Sequence, residues 1–279
     1  MSIDCHTHVG AAEHYSGQFA ADLAKAWGEV RWEGRTLEDH WEAVRGAERA
    51  IVVAFDAPAA GFEVPNEYVA AYVSEHPEKL IGFASVDPNR PDAVERLRHA
   101  VETLPLRGLK LAPIYQDADP VGPGAMALYG EAERLGLPVL THMATTFVQK
   151  SPLRHARPWL MDEVGIAFPD LAICLAHLGH PWCEENMAVI RKHPRMYSDV
   201  SALHTRPMQF YLALNAAVEY RVTDKILLGS DYPFSTLEQS IDALRNVNKV
   251  VHGTGMPPIP TEVIEGIIER DSVALLGLD

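Results

Sequence analysis

Cysteine is scarce in this chain: only Cys5, Cys174 and Cys183 occur among 279 residues. An odd number this small cannot staple a chain of such length, which excludes a disulfide scaffold and predicts a reducing, cytoplasmic setting. Cys5 and Cys174 read as small apolar residues within strands, and Cys183 has no base nearby in the sequence to activate it. Apolar runs fall short of the roughly 18 residues a membrane helix needs, and no basic segment followed by an apolar stretch opens the chain. Basic residues are outnumbered, 24 Lys and Arg against 38 Asp and Glu, for a formal charge of −14. Coulomb repulsion therefore opposes nucleic acid or an anionic membrane as partner, and a charged ligand has to be met locally. Internal repeats and low-complexity tracts are absent as well.

What is present is a hydrophobic fraction of 47%, ample for a large core. Short β-branched runs at residues 3–9, 50–56, 80–86, 106–112, 138–143, 172–178, 196–202 and 226–231 alternate with longer segments of helical period. Several, such as AIVVAF, LAICLAHL and KILLGS, are almost continuously apolar, as parallel strands buried on both faces are. Eight such strand–helix units in one chain favour an α/β fold of the (β/α)8 TIM-barrel type over an open doubly wound sheet, with residues 1–279 as a single domain. Helix punctuation agrees: Thr36 precedes LEDHWEAV, Ser235 precedes TLEQSIDALRNV, and Pro207 opens MQFYLALNAAVEY. Residues 10–35 are too many for a simple loop and predict an insertion after the first strand, over one end of a distorted barrel. Residues 144–157 form a second long connection, and residues 261–278 read as closing helices.

The reactive residues fall at strand ends. His6 and His8 end the first strand, Lys110 the fourth, His142 the fifth, His177 the sixth and Asp231 the eighth. In a barrel these ends share one rim, where active sites are built. The spacing of HTH sends His6 and His8 to one face of a strand, towards the axis, with Cys5 and Thr7 facing outward. Two crowded imidazoles repel if protonated and need donors or a cation if neutral, and a divalent metal satisfies both, zinc being suited to nitrogen and oxygen donors. A carboxylate after ILLG is costly to bury unless it is paired, hydrogen-bonded or metal-bound. The bland alternatives are a helix cap for Asp231 and core histidines for His142 and His177.

The series CHTHV, GLKLAP, VLTHM, LAHLGHPW and LLGSDYPF resembles the amidohydrolase superfamily, and within it the amidohydrolase-related branch that includes aminocarboxymuconate-semialdehyde decarboxylase-like enzymes. The resemblance spans nearly the whole chain in order. It implies a distorted TIM barrel with one or two metal ions, held by His6, His8, His142 and Asp231. It implies that His177 binds a second metal in binuclear members and acts as a base or polarising group in mononuclear decarboxylases. Lys110 matches a lysine that is carboxylated in some relatives and bridges two metals. Its alternatives are binding a substrate carboxylate or enolate oxygen, or lying along the strand end with its amine in solvent.

The expected activity is metal-dependent hydrolysis of an amide, lactone or ester of a small substrate, with Asp231 accepting a proton from water and His177 assisting the oxyanion or leaving group. The alternative is non-oxidative decarboxylation of an aromatic or muconate-type acid. His180, Trp182, Arg157 and Arg206 are the candidate substrate contacts, the arginines as bidentate carboxylate clamps. Glu13 and His14 lie in the first-loop insertion, with nothing in their spacing to tie them to the pocket. A small molecule is the expected partner, and a homodimer the commonest assembly for such chains.

Overall fold

The computed structural model describes residues 2–27 and 35–279. Eight parallel strands follow one another around a single sheet in chain order. They are β1 (Ile3–His8), β2 (Arg49–Val53), β3 (Leu80–Ser85), β4 (Leu106–Leu111), β5 (Val139–Thr141), β6 (Ile173–Leu175), β7 (Met196–Asp199) and β8 (Ile226–Leu227). The segment leaving β8 closes the ring on β1. Cys5 N–H donates to the Leu228 carbonyl, Asp231 N–H to His6 and His8 N–H to Tyr232, each at 2.9 Å. Helices cover the outside, giving the TIM barrel expected from the strand–helix alternation. Among the described residues no helix is long and apolar enough to cross a membrane.

Alternation along the strands divides the apolar residues into two layers. Ala50, Val52, Leu109, Leu111, Ile173 and Leu175 face the helices, while Ile51, Val53, Ile81, Phe83, Leu140 and Leu227 fill the interior. Val273, Leu276 and Leu278, from the helix Ser272–Leu276 and its tail, join the interior cluster. The closing helices thus plug the amino-terminal end of the barrel, and access remains from the rim at the carboxyl ends.

β1 breaks the simple alternation. Asp4 pairs with Ala50 but Thr7 with Val52, so β1 spends one more residue than β2 over the same span. This β-bulge turns Cys5 and His6 both inward. Cys5, expected on the outer face, packs in the interior cluster with Cys174. Thr7 does face outward, where its hydroxyl donates to the Ile51 carbonyl at 2.7 Å and meets His40 Nε2 at 2.9 Å.

Several further boundaries differ from expectation: β7 and β8 end early, at Asp199 and Leu227, and the fifth run is trimmed to Val139–Thr141. The second run ends at Val53, and Phe55–Ala57 instead pairs antiparallel with Phe62–Val64 in a separate hairpin. The sixth stops at Leu175, after which His177 (φ 63°), Leu178 (φ 50°) and Gly179 (φ 71°) take left-handed conformations that no strand can hold. The helix expected after Ser235 starts one residue later. Thr236 caps Leu237–Arg245 in a reciprocal box with Gln239, leaving the Ser235 hydroxyl to Ser240. Thr36 caps Leu37–Ala43, and Pro207 occupies the first turn of Pro207–Tyr220, as the sequence indicated. The insertion supplies a short turn at Ala12–His14 and the helix Gly17–Trp27, while its residues 28–34 lie outside the described residues.

Candidate metal centre

The bulge and the end of β1 aim His6 and His8 into the top of the barrel. Their Nε2 atoms lie 3.1 Å apart. Asp231, delivered by the segment after β8 at a left-handed φ of 58°, places Oδ1 3.1 Å from His8 Nε2 and 3.6 Å from His6 Nε2. A non-glycine residue in that conformation is strained, a cost that is commonly met at functional sites. All three side chains are buried, and their donor atoms lie within 4.8 Å of one another.

The hydrogen-bond network sets the tautomers. Asp199 Oδ2, at the end of β7, lies 3.1 Å from His6 Nδ1. The proton of His6 therefore sits on Nδ1, and its Nε2 lone pair points at the Asp231 carboxylate. Asp199 Oδ1 accepts from the backbone N–H of His177 at 3.1 Å, from that of Ser201 at 3.0 Å and from the Ser201 hydroxyl. Burial opposes the charge of Asp199, but these donors and the adjacent His6 hold its carboxyl well below the usual range. Burial, reinforced by the Lys110 charge, drives His6 down to about 3, and burial lowers His8 as well. Both imidazoles are neutral near pH 7, as metal donors must be.

A second pair stands beside the first. His142 Nε2 donates to the carbonyls of Ala144 (3.2 Å) and Thr145 (3.1 Å), which leaves Nδ1 as a lone pair facing His177 Nε2 at 3.1 Å. On the other side of the ring, His177 Nδ1 lies 2.7 Å from Ser201 Oγ, whose proton goes to Asp199. His177 Nδ1 is then the donor, and two lone pairs meet between His177 and His142 unless a proton or metal ion lies there. This unresolved pair and the converging lone pairs of His6, His8 and Asp231 fit a bound cation. The cation now reaching them is Lys110, whose Nζ lies 2.9 Å from His6 Nε2. Burial brings the pKa of Lys110 down to about 8, against the pull of Asp231 and Asp199.

His6, His8, Asp231, Lys110, His142 and His177 thus gather at one rim, although His142 contacts His177 and stands outside the His6–His8–Asp231 cluster. Asp199 and Ser201 escaped the sequence reading. The signal for Asp199 was available, since a carboxylate in MYSDV at the end of a buried strand invites the same question as Asp231 in ILLGSD. His180 and Arg206 line the cleft above the centre together with His142, His177 and Asp231. Arg157 and Trp182 do not. Arg157 is paired with Glu185 and lies 5.3 Å over the Trp182 ring, and Trp182 lines a neighbouring groove with Glu184 and Leu212. Arg157 is therefore not the free clamp its sequence context suggested. His14 remains in its turn, edge-on to Tyr68 at 4.8 Å, and neither it nor Glu13 lines that cleft.

Several known proteins are similar to this chain. A 2-amino-3-carboxymuconate-6-semialdehyde decarboxylase of Dictyostelium discoideum is 22% identical over 247 residues, covering 77% of this chain. The match spans 66% of that relative, slightly under two thirds of its length. An uncharacterized TIM-barrel protein from Bordetella bronchiseptica superposes with a TM-score of 0.77 at 20% identity, over 99% of this chain and 98% of the other. A dihydroxybenzoic acid decarboxylase from Polaromonas sp., solved with manganese and 2-nitroresorcinol, gives 0.69 at 16% identity, over 99% and 97%. A probable 2-pyrone-4,6-dicarboxylic acid hydrolase from Acinetobacter baumannii, with citric acid bound, gives 0.67 at 15%, over 99% of both chains. The amidohydrolase family model matches residues 3–278, and this chain belongs to that metal-dependent family.

Proposed function

We propose that the chain is a metal-dependent decarboxylase acting on a small unsaturated carboxylic acid. The observation that carries this reading is the setting of His177: a histidine oriented by Ser201 and Asp199 that faces a cleft walled by Trp27, Tyr115, Phe147 and Phe234. A carboxylate brought into such apolar surroundings loses hydration, whereas the neutral carbon dioxide it becomes does not need it. The named activity of the Dictyostelium relative supports the same reaction class.

His6, His8 and Asp231 would hold one divalent ion, and His142, through its Nδ1 lone pair, would be a further donor. Bound there, the metal supplies a Lewis acid that polarises the substrate oxygens. The chain's own residues do the rest. Lys110, directed at the same point, pairs with the developing negative charge on substrate oxygen. As the bond between the substrate carbon and its carboxyl group breaks, the electron pair stays on that carbon. His177, having first taken up a proton from solvent on Nε2, delivers it to form the new C–H bond. Ser201 and Asp199 keep the opposite nitrogen of His177 fixed. Zinc suits this donor set, and the manganese of the Polaromonas neighbour makes it the other metal to load.

Hydrolysis is the second reading, favoured by the likeness to the pyrone dicarboxylic acid hydrolase. It would use Asp231 as the base for water and His177 as the acid for the leaving group. Metal-loaded protein incubated with aromatic and muconate-type acids should release carbon dioxide. Turnover of lactones or esters, with no carbon dioxide from any acid, would refute the proposal in favour of hydrolysis.

A further inference from the structure

Inside the barrel, next to the histidines, two of the three cysteines of the chain meet one aspartate. The β-bulge turns Cys5 inward from β1, β6 contributes Cys174, and Asp199 ends β7. Cys5 Sγ, Cys174 Sγ and a carboxylate oxygen of Asp199 lie within 4.8 Å of one another, and each residue is at most 1% exposed. Cys174 Sγ stands 3.7 Å from Asp199 Oδ2. That is a long contact for a thiol donor, but it is close to the spacing of two ligands on one ion. With metal–sulfur and metal–oxygen bonds of about 2.3 and 2.0 Å, tetrahedral geometry sets sulfur and oxygen about 3.5 Å apart. Gly229, where the chain leaves β8, borders the same space. A Cβ there would touch both Cys5 Sγ at 3.4 Å and Asp199 Cβ at 3.5 Å, so the glycine leaves that side of the cluster open. Burial raises the pKa of the Cys174 thiol, against the pull of the Lys110 charge. Contact with Cys174, together with burial, raises that of Cys5. An ion entering here therefore displaces two thiol protons to solvent, which only a strongly thiophilic ion does.

We propose that Cys5, Cys174 and Asp199 form a second metal site, distinct from the histidine centre, that takes a soft thiophilic ion of the cadmium or cuprous class. Two thiolates select for softness, and a hard ion such as manganese gains nothing from them. The Lys110 ammonium, already close enough to act on Cys174, offsets part of the negative charge of the filled site. Asp199 couples the two sites. Its Oδ2 accepts the Nδ1 proton of His6 at 3.1 Å, and an ion bound to that oxygen competes with this hydrogen bond. Filling the thiolate site thus loosens the hold of His6 on its own metal. The site itself rests on the geometry of the thiols; only the coupling rests on the reading of the histidines as a metal centre.

The test adds cadmium to manganese-loaded protein carrying Cys183→Ser, which removes the third thiol, and follows the thiolate-to-cadmium charge-transfer band in the ultraviolet. One equivalent should give the full band, and Cys174→Ser in the same background should lose most of it. No band, or a band undiminished in Cys174→Ser, overturns the site. Should Cys174→Ser not fold, Cys5→Ser decides in the same way. Once one equivalent of cadmium is held by sulfur, manganese should bind about tenfold more weakly, the scale of losing an orienting partner. A full band with unchanged manganese affinity sinks the coupling and keeps the site. A full band in a chain that takes up no manganese or zinc keeps the site and sinks the metal-dependent function proposed above.

Discussion

Replacing Asp199 with asparagine preserves shape while removing the charge that orients His6. In the native arrangement Oδ2 accepts the Nδ1 proton of His6 at 3.1 Å, which leaves Nε2 bare to meet a metal. Oδ1 is occupied by the N–H groups of His177 and Ser201 and by the Ser201 hydroxyl, so an asparagine seats its oxygen there and turns its amide towards His6. The amide donates, and His6 must then carry its proton on Nε2, the wrong nitrogen for ligation. Losing an orienting partner of this kind typically lowers metal affinity about 10- to 100-fold. At about 1.4 kcal/mol per factor of ten, that amounts to about 1.4–2.8 kcal/mol. The assay is a competition titration of zinc or manganese against a chromophoric chelator, with near-ultraviolet circular dichroism to show that the variant is folded. A folded Asp199→Asn protein whose metal affinity lies within about twofold of wild type would refute the tautomer argument.

Elemental analysis of metal-loaded protein should give one ion per chain and intact-mass analysis an unmodified Lys110; two ions with added carbon dioxide on the lysine would contradict the single-metal reading. Glu131 is buried between Arg98 and Arg134, at 2.6 Å from each, and these arginines hold its pKa down to about 2 from 4.5. Because the folded value is depressed, the stabilisation is complete above about pH 4.5 and is lost as pH falls towards 2. The full drop would be worth about 3 kcal/mol, reduced to about 1–2 kcal/mol by screening around the half-exposed guanidinium groups. Glu131→Gln should therefore flatten that part of the acid limb in urea titrations, and an unchanged slope between pH 5 and 2 would count against the ion pairs. Thr236→Ala should cost about 1 kcal/mol through its helix cap and Ser235→Ala clearly less, measured by thermal unfolding; the reverse order would refute the assignment of the cap.

Local chemistry made much of this protein legible in one dimension. Continuous apolar runs between amphipathic segments specify buried parallel strands with helices outside, and the HTH pair and the carboxylate after ILLG mark residues that are expensive to bury without a partner. Thr36 and Pro207 marked their helices for equally local reasons, a side-chain acceptor and a preset φ. Tertiary structure decided what depends on register and closure. The bulge that turns Cys5 inward exists only in the pairing of β1 with β2, and the left-handed turn at His177 only where the chain leaves β6 for the rim. Asp199 acquires its role because β7 sets it against β1, 193 positions away in sequence from His6. Arg157 and Arg206 look alike as letters. Only the folded chain gives Glu185 to one and leaves the other facing the cleft, because a counterion is chosen by proximity in space, which sequence order does not encode.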